Sequence, residues 1–132
     1  MEWKVRSIRG ATTVAENTVA AMAIAVNELI DEIEAHNMFQ PEDLVCVFFT
    51  VTTDLDAMFP AAAARKRSGW DCVPLIDLQQ MQVRGSLKRC IRVLIQINTL
   101  LPQSAMVHRY LHQAQALRPD LDIQLTTNNL GS

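Results

Sequence analysis

The sequence predicts an α/β (α+β) fold built on a mixed β-sheet, and three segments carry that prediction. Val19, Met22, Ala23, Val26, Ile30 and Ile33 recur at helical spacing, so one long helix has an apolar stripe to bury. Leu44 to Val51 is a continuous run rich in Val, Phe, Leu and Cys, as in a strand covered on both faces. Cys90 to Ile97 alternates instead, with Ile91, Val93, Ile95 and Ile97 on one face and Arg92, Leu94 and Gln96 on the other.

Taken in order, the chain opens on an extended segment from Trp3 to Ile8 that is expected to end in a turn over Arg9-Gly10-Ala11-Thr12-Thr13. Thr13 with Glu16 three positions on fits a capping box, which starts the long helix and carries it to His36-Asn37. Pro41-Glu42-Asp43 punctuates the chain before Leu44–Val51, the expected central strand. Pro60 then opens a helix over Ala61 to Arg67 that Ser68-Gly69 terminates. Val73 to Ile76 is a short extended piece placed at an edge by Pro74, which lacks an N–H, and a loop is expected from Asp77 to Gly85. Met106 to Leu117 reads as helix or as strand plus turn; the preferred reading is a strand through Val107, His108 and Arg109 followed by a helical turn.

With 132 residues and 49% hydrophobic positions, the chain fits one domain, 1–132, with a core that needs no staples and a flexible tail over about 119–132. Cys46, Cys72 and Cys90 are odd in number and far apart, so neither a zinc site nor a redox pair is read, and a reducing cytoplasm suits them. The 12 Lys+Arg against 14 Asp+Glu give a net charge of −2, which disfavours nucleic acid or an anionic membrane as a partner for the whole surface. Glu2 and Lys4 interrupt any apolar start, so no signal peptide is expected, and no apolar run reaches the roughly 18 to 20 residues of a membrane span.

Arg92 is the sharpest local feature. A guanidinium in the middle of an apolar strand needs an anion or an interface, and on composition alone the blander partners are Asp54, Asp77 or an exposed sheet face. Arg9, beside Gly10 at an expected strand end, is a second candidate anion ligand. Arg65, Lys66 and Arg67 in the last turn of the second helix complement its dipole, and Arg118 before Pro119 reads as a solvated charge. His36, His108 and His112 form no convincing metal site, although His108 and His112 are four apart. Without a phosphate loop, a nucleophile elbow or an acid/base pair, any chemistry has to run on cations and hydrogen bonds acting on a bound anion.

Ile8-Arg9-Gly10-Ala11-Thr12-Thr13, with Phe59-Pro60-Ala61, Ser68-Gly69-Trp70, Val73-Pro74, Lys88-Arg89-Cys90-Ile91-Arg92-Val93 and Leu117-Arg118-Pro119-Asp120-Leu121, resembles the AroH-class monofunctional chorismate mutases in register over nearly the whole chain. The resemblance implies a ferredoxin-like, pseudo-barrel homotrimer that converts chorismate to prephenate in the shikimate branch to phenylalanine and tyrosine, without cofactor or metal. It places the sites in clefts between subunits. It implies that Arg9 binds a substrate carboxylate, that Tyr110 supports the same anion, and that Arg92 reaches a carboxylate and the ether oxygen. Phe59, Ala61, Leu75, Ile76 and Leu117 would wall the pocket, and Arg65 and Arg118 would assist capture from its rim.

Members usually carry a Cys followed three residues later by a Glu after Val-Pro, where this chain has Asp77 and Gln80. Asp77 is therefore expected to take over the carboxylate that braces Arg9, with Gln80 keeping a hydrogen-bonding amide; the competing expectation is altered catalysis with Asp77 a plain loop acid. Ala62 stands where members can have a lysine near the pocket entrance. Two further readings stay open at this point, a trimer that binds an aromatic-pathway metabolite without turnover and a different small-molecule enzyme on the same architecture, such as an imine deaminase.

Overall fold

Over residues 2–120, which the computed structural model describes, the chain runs β1 (Lys4–Thr13), α1 (Val19–His36), β2 (Leu44–Val51), α2 (Pro60–Arg65), β3 (Leu75–Gln79), β4 (Cys90–Thr99) and β5 (Arg109–Tyr110). The five strands form one mixed sheet in the order β3-β2-β4-β1-β5. β4 is antiparallel to both β1 and β2, whereas β3 and β5 lie parallel to β2 and β1. The unit β1-α1-β2 is thus a split β-α-β with β4 inserted between its strands, in keeping with the ferredoxin-like expectation.

Strand parity decides what each face does. Ile8, Val47, Phe49, Ile91, Ile95 and Ile97 point to one face, where Met22, Val26, Leu29, Ile30 and Ile33 of α1 close the main core with Trp70 and the alanines of α2. Each of these large side chains contributes about 1.5–3 kcal/mol by leaving water. Arg67 clamps the two helices together. It donates to Asn27 Oδ1 at 2.9 Å, Asp31 at 2.8 Å and Glu34 at 3.2 Å, and lies over the Trp70 ring. Among the described residues no α-helix packs on the other face.

Several boundaries differ from the sequence reading, each for a physical reason. No turn follows Ile8, because β1 stays paired with β4 residue by residue through Thr13 opposite Cys90. Gly10 is needed for close approach: a Cβ there would stand 2.9 Å from Ile33 Cδ1 and 3.1 Å from the Arg109 carbonyl. The helix cap moves accordingly from Thr13 to Thr18, whose hydroxyl accepts the Ala21 N–H at 3.1 Å. The second helix ends at Arg65, ahead of Gly69 at φ +82°, where Cβ would meet Pro41.

Leu44–Val51 has the expected bounds and lies inside the sheet between β3 and β4, but among the described residues α-helices cover only one of its faces. β3 starts at Leu75 and takes in Asp77, which the sequence reading put in a loop; parallel pairing with β2 from Val47 to Val51 extends it. The last strand lies at Arg109–Tyr110, later than Val107–Arg109, because side chains take the preceding backbone groups. Asn37 bonds both the N–H and the carbonyl of Val107, each at 2.9 Å, and His108 takes the Arg9 N–H. The expected flexible tail lies, beyond Asp120, outside the described residues.

Candidate active site

The open face of the sheet collects the arginines. Ala11 is paired with Arg92 on one side and with Tyr110 on the other, so these three side chains leave the sheet together. Arg9, two residues before Ala11 and opposite Leu94, is the diagonal neighbour of Arg92 at a Cα separation of roughly 7–8 Å. The fully buried Ala11 at the centre keeps a small footprint between two guanidiniums and a phenol. Tyr110 is buried in a second apolar cluster with Ala11, Ala114, Leu87 and Leu117. The turn over His112–Leu117 brings Leu117 there, and Leu111 N–H bonds the Ala11 carbonyl at 2.9 Å to hold that turn against β1.

Arg92 is half-buried, and its Nε has no hydrogen-bond partner. Neither bland partner engages it. The Asp54 carboxylate accepts the Arg89 N–H at 3.0 and 3.1 Å and the Thr52 hydroxyl at 2.5 Å. Slight burial would raise the Asp54 carboxyl, but those hydrogen bonds hold it below its ordinary value. Burial also pushes the Cys90 thiol up, and the nearby Arg92 guanidinium pulls it part of the way back. Thr50, opposite Arg92 on β2, has a buried hydroxyl without a partner, as does the buried amide oxygen of Gln80.

Gln80 follows the end of β3, its N–H bonding the Val51 carbonyl at 2.8 Å. It continues the row of Ile76 and Leu78, and pairing of Leu78 with Thr50 and of Thr50 with Arg92 places that row on the arginine face. Thr50, Gln80 and Arg92 are thus three unsatisfied polar groups on one side of the sheet. Each such group costs about 1–3 kcal/mol while it stays unpaired, which marks the face as built to receive something polar.

Asp77 is turned the other way. Alternation along β3 sends it to the helix-covered side, where its Oδ1 accepts the Ala61 N–H at 2.9 Å at the start of α2. Burial raises its carboxyl above the ordinary value, against the opposing pull of the Ala61 N–H and the Arg65 charge. The expectation that Asp77 takes over the carboxylate at position 80 is therefore not met within one chain, since the two side chains occupy opposite faces. Phe59, 71% exposed, Pro60, Ala62, Asp77 and Leu78 line a cavity of about 550 Å³ at this edge, with Ala61 buried beside it, Arg65 exposed on the same helix and Leu75 packed on the core. Arg9 and Arg92 do not line it.

The sequence-predicted site residues thus form two groups. Arg9, Arg92, Tyr110, Gln80, Ile76, Leu117 and Arg118 belong to the open face, and Phe59, Ala61, Arg65, Leu75 and Asp77 to the α2 edge. Arg118 is half-buried, lies near His108 and Tyr110, and bonds Asp120 at 2.9 and 3.1 Å. Sequence reasoning missed His108, whose Nδ1 accepts the Arg9 backbone N–H at 2.8 Å. Its ring is held below the ordinary histidine pKa by burial and by the charges of Arg9 and Arg118. His112 pairs with Glu28 at 2.6 Å, and among the described residues no cluster of His, Cys, Asp and Glu could hold a metal ion. Among the same residues no helix is long and apolar enough to cross a membrane.

Comparison with known proteins accords with this geometry. Residues 5–121 match the family described as chorismate mutase type I. The chain is 42% identical over 123 residues to the chorismate mutase AroH of Bacillus subtilis, covering 93% of this chain and 97% of that one. It is 48% identical over 119 residues to the chorismate mutase AroH of Thermus thermophilus, covering 89% and 97%. A solved chorismate mutase from Clostridium thermocellum superposes with a TM-score of 0.80 at 40% identity, covering 83% of this chain and 97% of that one.

Proposed function

The chain belongs to the chorismate mutase type I family, and from that premise we propose how its residues carry the reaction. It is an isomerase that converts chorismate to prephenate, a step of aromatic amino acid biosynthesis. In this rearrangement the ether C–O bond breaks ahead of C–C bond formation, so negative charge builds on the ether oxygen and no protein nucleophile is needed. The Arg92 guanidinium meets that oxygen and stabilises the developing charge more than the ground state. Arg9 and Tyr110 hold a substrate carboxylate, and the unpaired Gln80 amide oxygen accepts a hydrogen bond from the substrate. Binding both ends of the dianion keeps the flexible substrate in its compact reactive form.

The supporting observation is the set of unpaired polar groups, Arg92 Nε, Gln80 Oε1 and Thr50 Oγ1, on a sheet face that no α-helix of the described residues covers. Ile76 and Leu78 on that face are 49% and 46% exposed, and Phe48 and Leu94 half-exposed, so an apolar band flanks the polar groups. A homotrimer that buries this band and brings the α2 edge of one subunit against the arginine face of the next accounts for both halves of the site. Phe59, Ala61 and Leu75 then wall the pocket opposite Arg92, Arg65 and Arg118 attract the dianion, and Asp77 fixes the start of α2. The free cysteines Cys46, Cys72 and Cys90 favour the reducing cytoplasm as its compartment. The test is loss of chorismate absorbance on mixing with the purified protein, with prephenate confirmed as product. Arg92→Ala should lower kcat about a hundred- to a thousandfold with the assembly intact; turnover within a factor of about ten of the parent removes Arg92 from this role.

A further inference from the structure

We propose that His108 is a positioning residue for substrate binding, acting through the backbone of Arg9; this rests on the reading of Arg9 as a carboxylate ligand. β5 pairs with β1 only at Gly10 opposite Arg109 and Ala11 opposite Tyr110. The Arg9 N–H lies just before this short ladder and bonds His108 Nδ1 at 2.8 Å instead of a backbone carbonyl. The Ser7 N–H, one step further back, is likewise held by a side chain, Gln103 Oε1 at 3.0 Å. Arg9 is laddered to Leu94 of β4 on one side, and on the other side the segment from Ser7 to Arg9 is held by side chains where Gly10 and Ala11 are held by β5.

An Nδ1 that accepts places the ring proton on Nε2 and requires the neutral imidazole. Burial and the flanking Arg9 and Arg118 charges favour that neutral form. Arg9 itself is exposed, so the packing of its side chain does little to aim it, and its direction depends on the backbone held at residue 9. Releasing that backbone by a fraction of an ångström displaces the guanidinium by more at the end of its long stem. Misplacement of about 1 Å at a binding group costs up to about a hundredfold.

The experiment is a kinetic double-mutant cycle on the full chain with chorismate as substrate, using Arg9→Ala, His108→Ala and the double variant, with His108→Asn and His108→Gln alongside. His108→Ala is expected to lower kcat/KM on the order of ten- to a hundredfold, mostly through KM. In the Arg9→Ala background the same change should do almost nothing, because the group it positions is gone. Asn places its amide oxygen near the position of Nδ1 and should restore most of the KM, whereas Gln, whose amide reaches toward Nε2, should not. Additive effects in the cycle, or equal loss in the Asn and Gln variants, overturn the proposal. Unchanged KM in Arg9→Ala overturns instead the reading of Arg9 on which it rests. If His108→Ala does not fold, the Asn and Gln pair decides, together with the nitrogen NMR shifts of His108 in the parent, which should show Nδ1 unprotonated and Nε2 protonated at neutral pH; a protonated Nδ1 contradicts the bond.

Discussion

At the scale of single residues, the reaction turns on charge held in fixed places. Arg92→Lys should fail almost as fully as Arg92→Ala, because an ammonium cannot present the planar fork to a carboxylate and an ether oxygen together; steady-state kinetics on the two variants check this. His108 adds a pH dependence to stability. Its folded pKa lies below its unfolded value near 6.5, so the folded chain binds fewer protons, and the stability present above that pH is lost as the pH falls toward the folded value. The melting temperature should therefore drop between pH 7 and pH 5 by more in the parent than in His108→Asn, as calorimetry would read. Arg92 was legible from the sequence because a cation in the middle of an alternating strand is conspicuous. His108 was not, since nothing in a local pattern shows that an imidazole 99 residues away accepts a strand N–H.

At the scale of elements, proline punctuation marks the starts of α2 and β3, but glycine punctuation misleads where tertiary contact decides. Gly10 looks like a turn residue, yet it is a close-approach residue beneath α1 in the middle of a ten-residue strand. Gly10→Ala should destabilise the fold by about 1–3 kcal/mol by forcing Ile33 and the Arg109 carbonyl apart, measurable by urea unfolding. The same displacement tilts β1 and should raise KM. Asp77 suggests a loop for a related reason: Asp is uncommon in strands, and the N-terminus of α2 explains its presence in β3. Asp77→Asn keeps an oxygen for the Ala61 N–H and removes a charge whose burial is unfavourable. Its kcat should stay within about threefold of the parent and its stability within about 0.5 kcal/mol at neutral pH. A collapse of kcat with folding intact would show that the Asp77 charge itself serves the reaction.

At the scale of the whole molecule, the alternation of β4 and the long apolar helix are enough to read a mixed sheet packed with one long helix, because each burial pattern has a single period, whereas cover on one face of the sheet alone is not legible in them. The division of the site into an arginine face and an α2 edge was not legible, since it depends on which face of β3 each residue takes and on what covers the open side. Subunit complementation tests the shared site directly. Arg92→Ala removes the arginine half and Arg65→Glu disables the capture half, so each variant alone should turn over chorismate poorly at substrate well below KM. Mixed trimers formed by denaturing and refolding the two together should pair two unmodified halves at about a quarter of their interfaces, by the statistics of random assembly around a closed ring. Activity should rise toward a quarter of the parent value on mixing; activity no greater than the average of the two variants would contradict a site built from two chains.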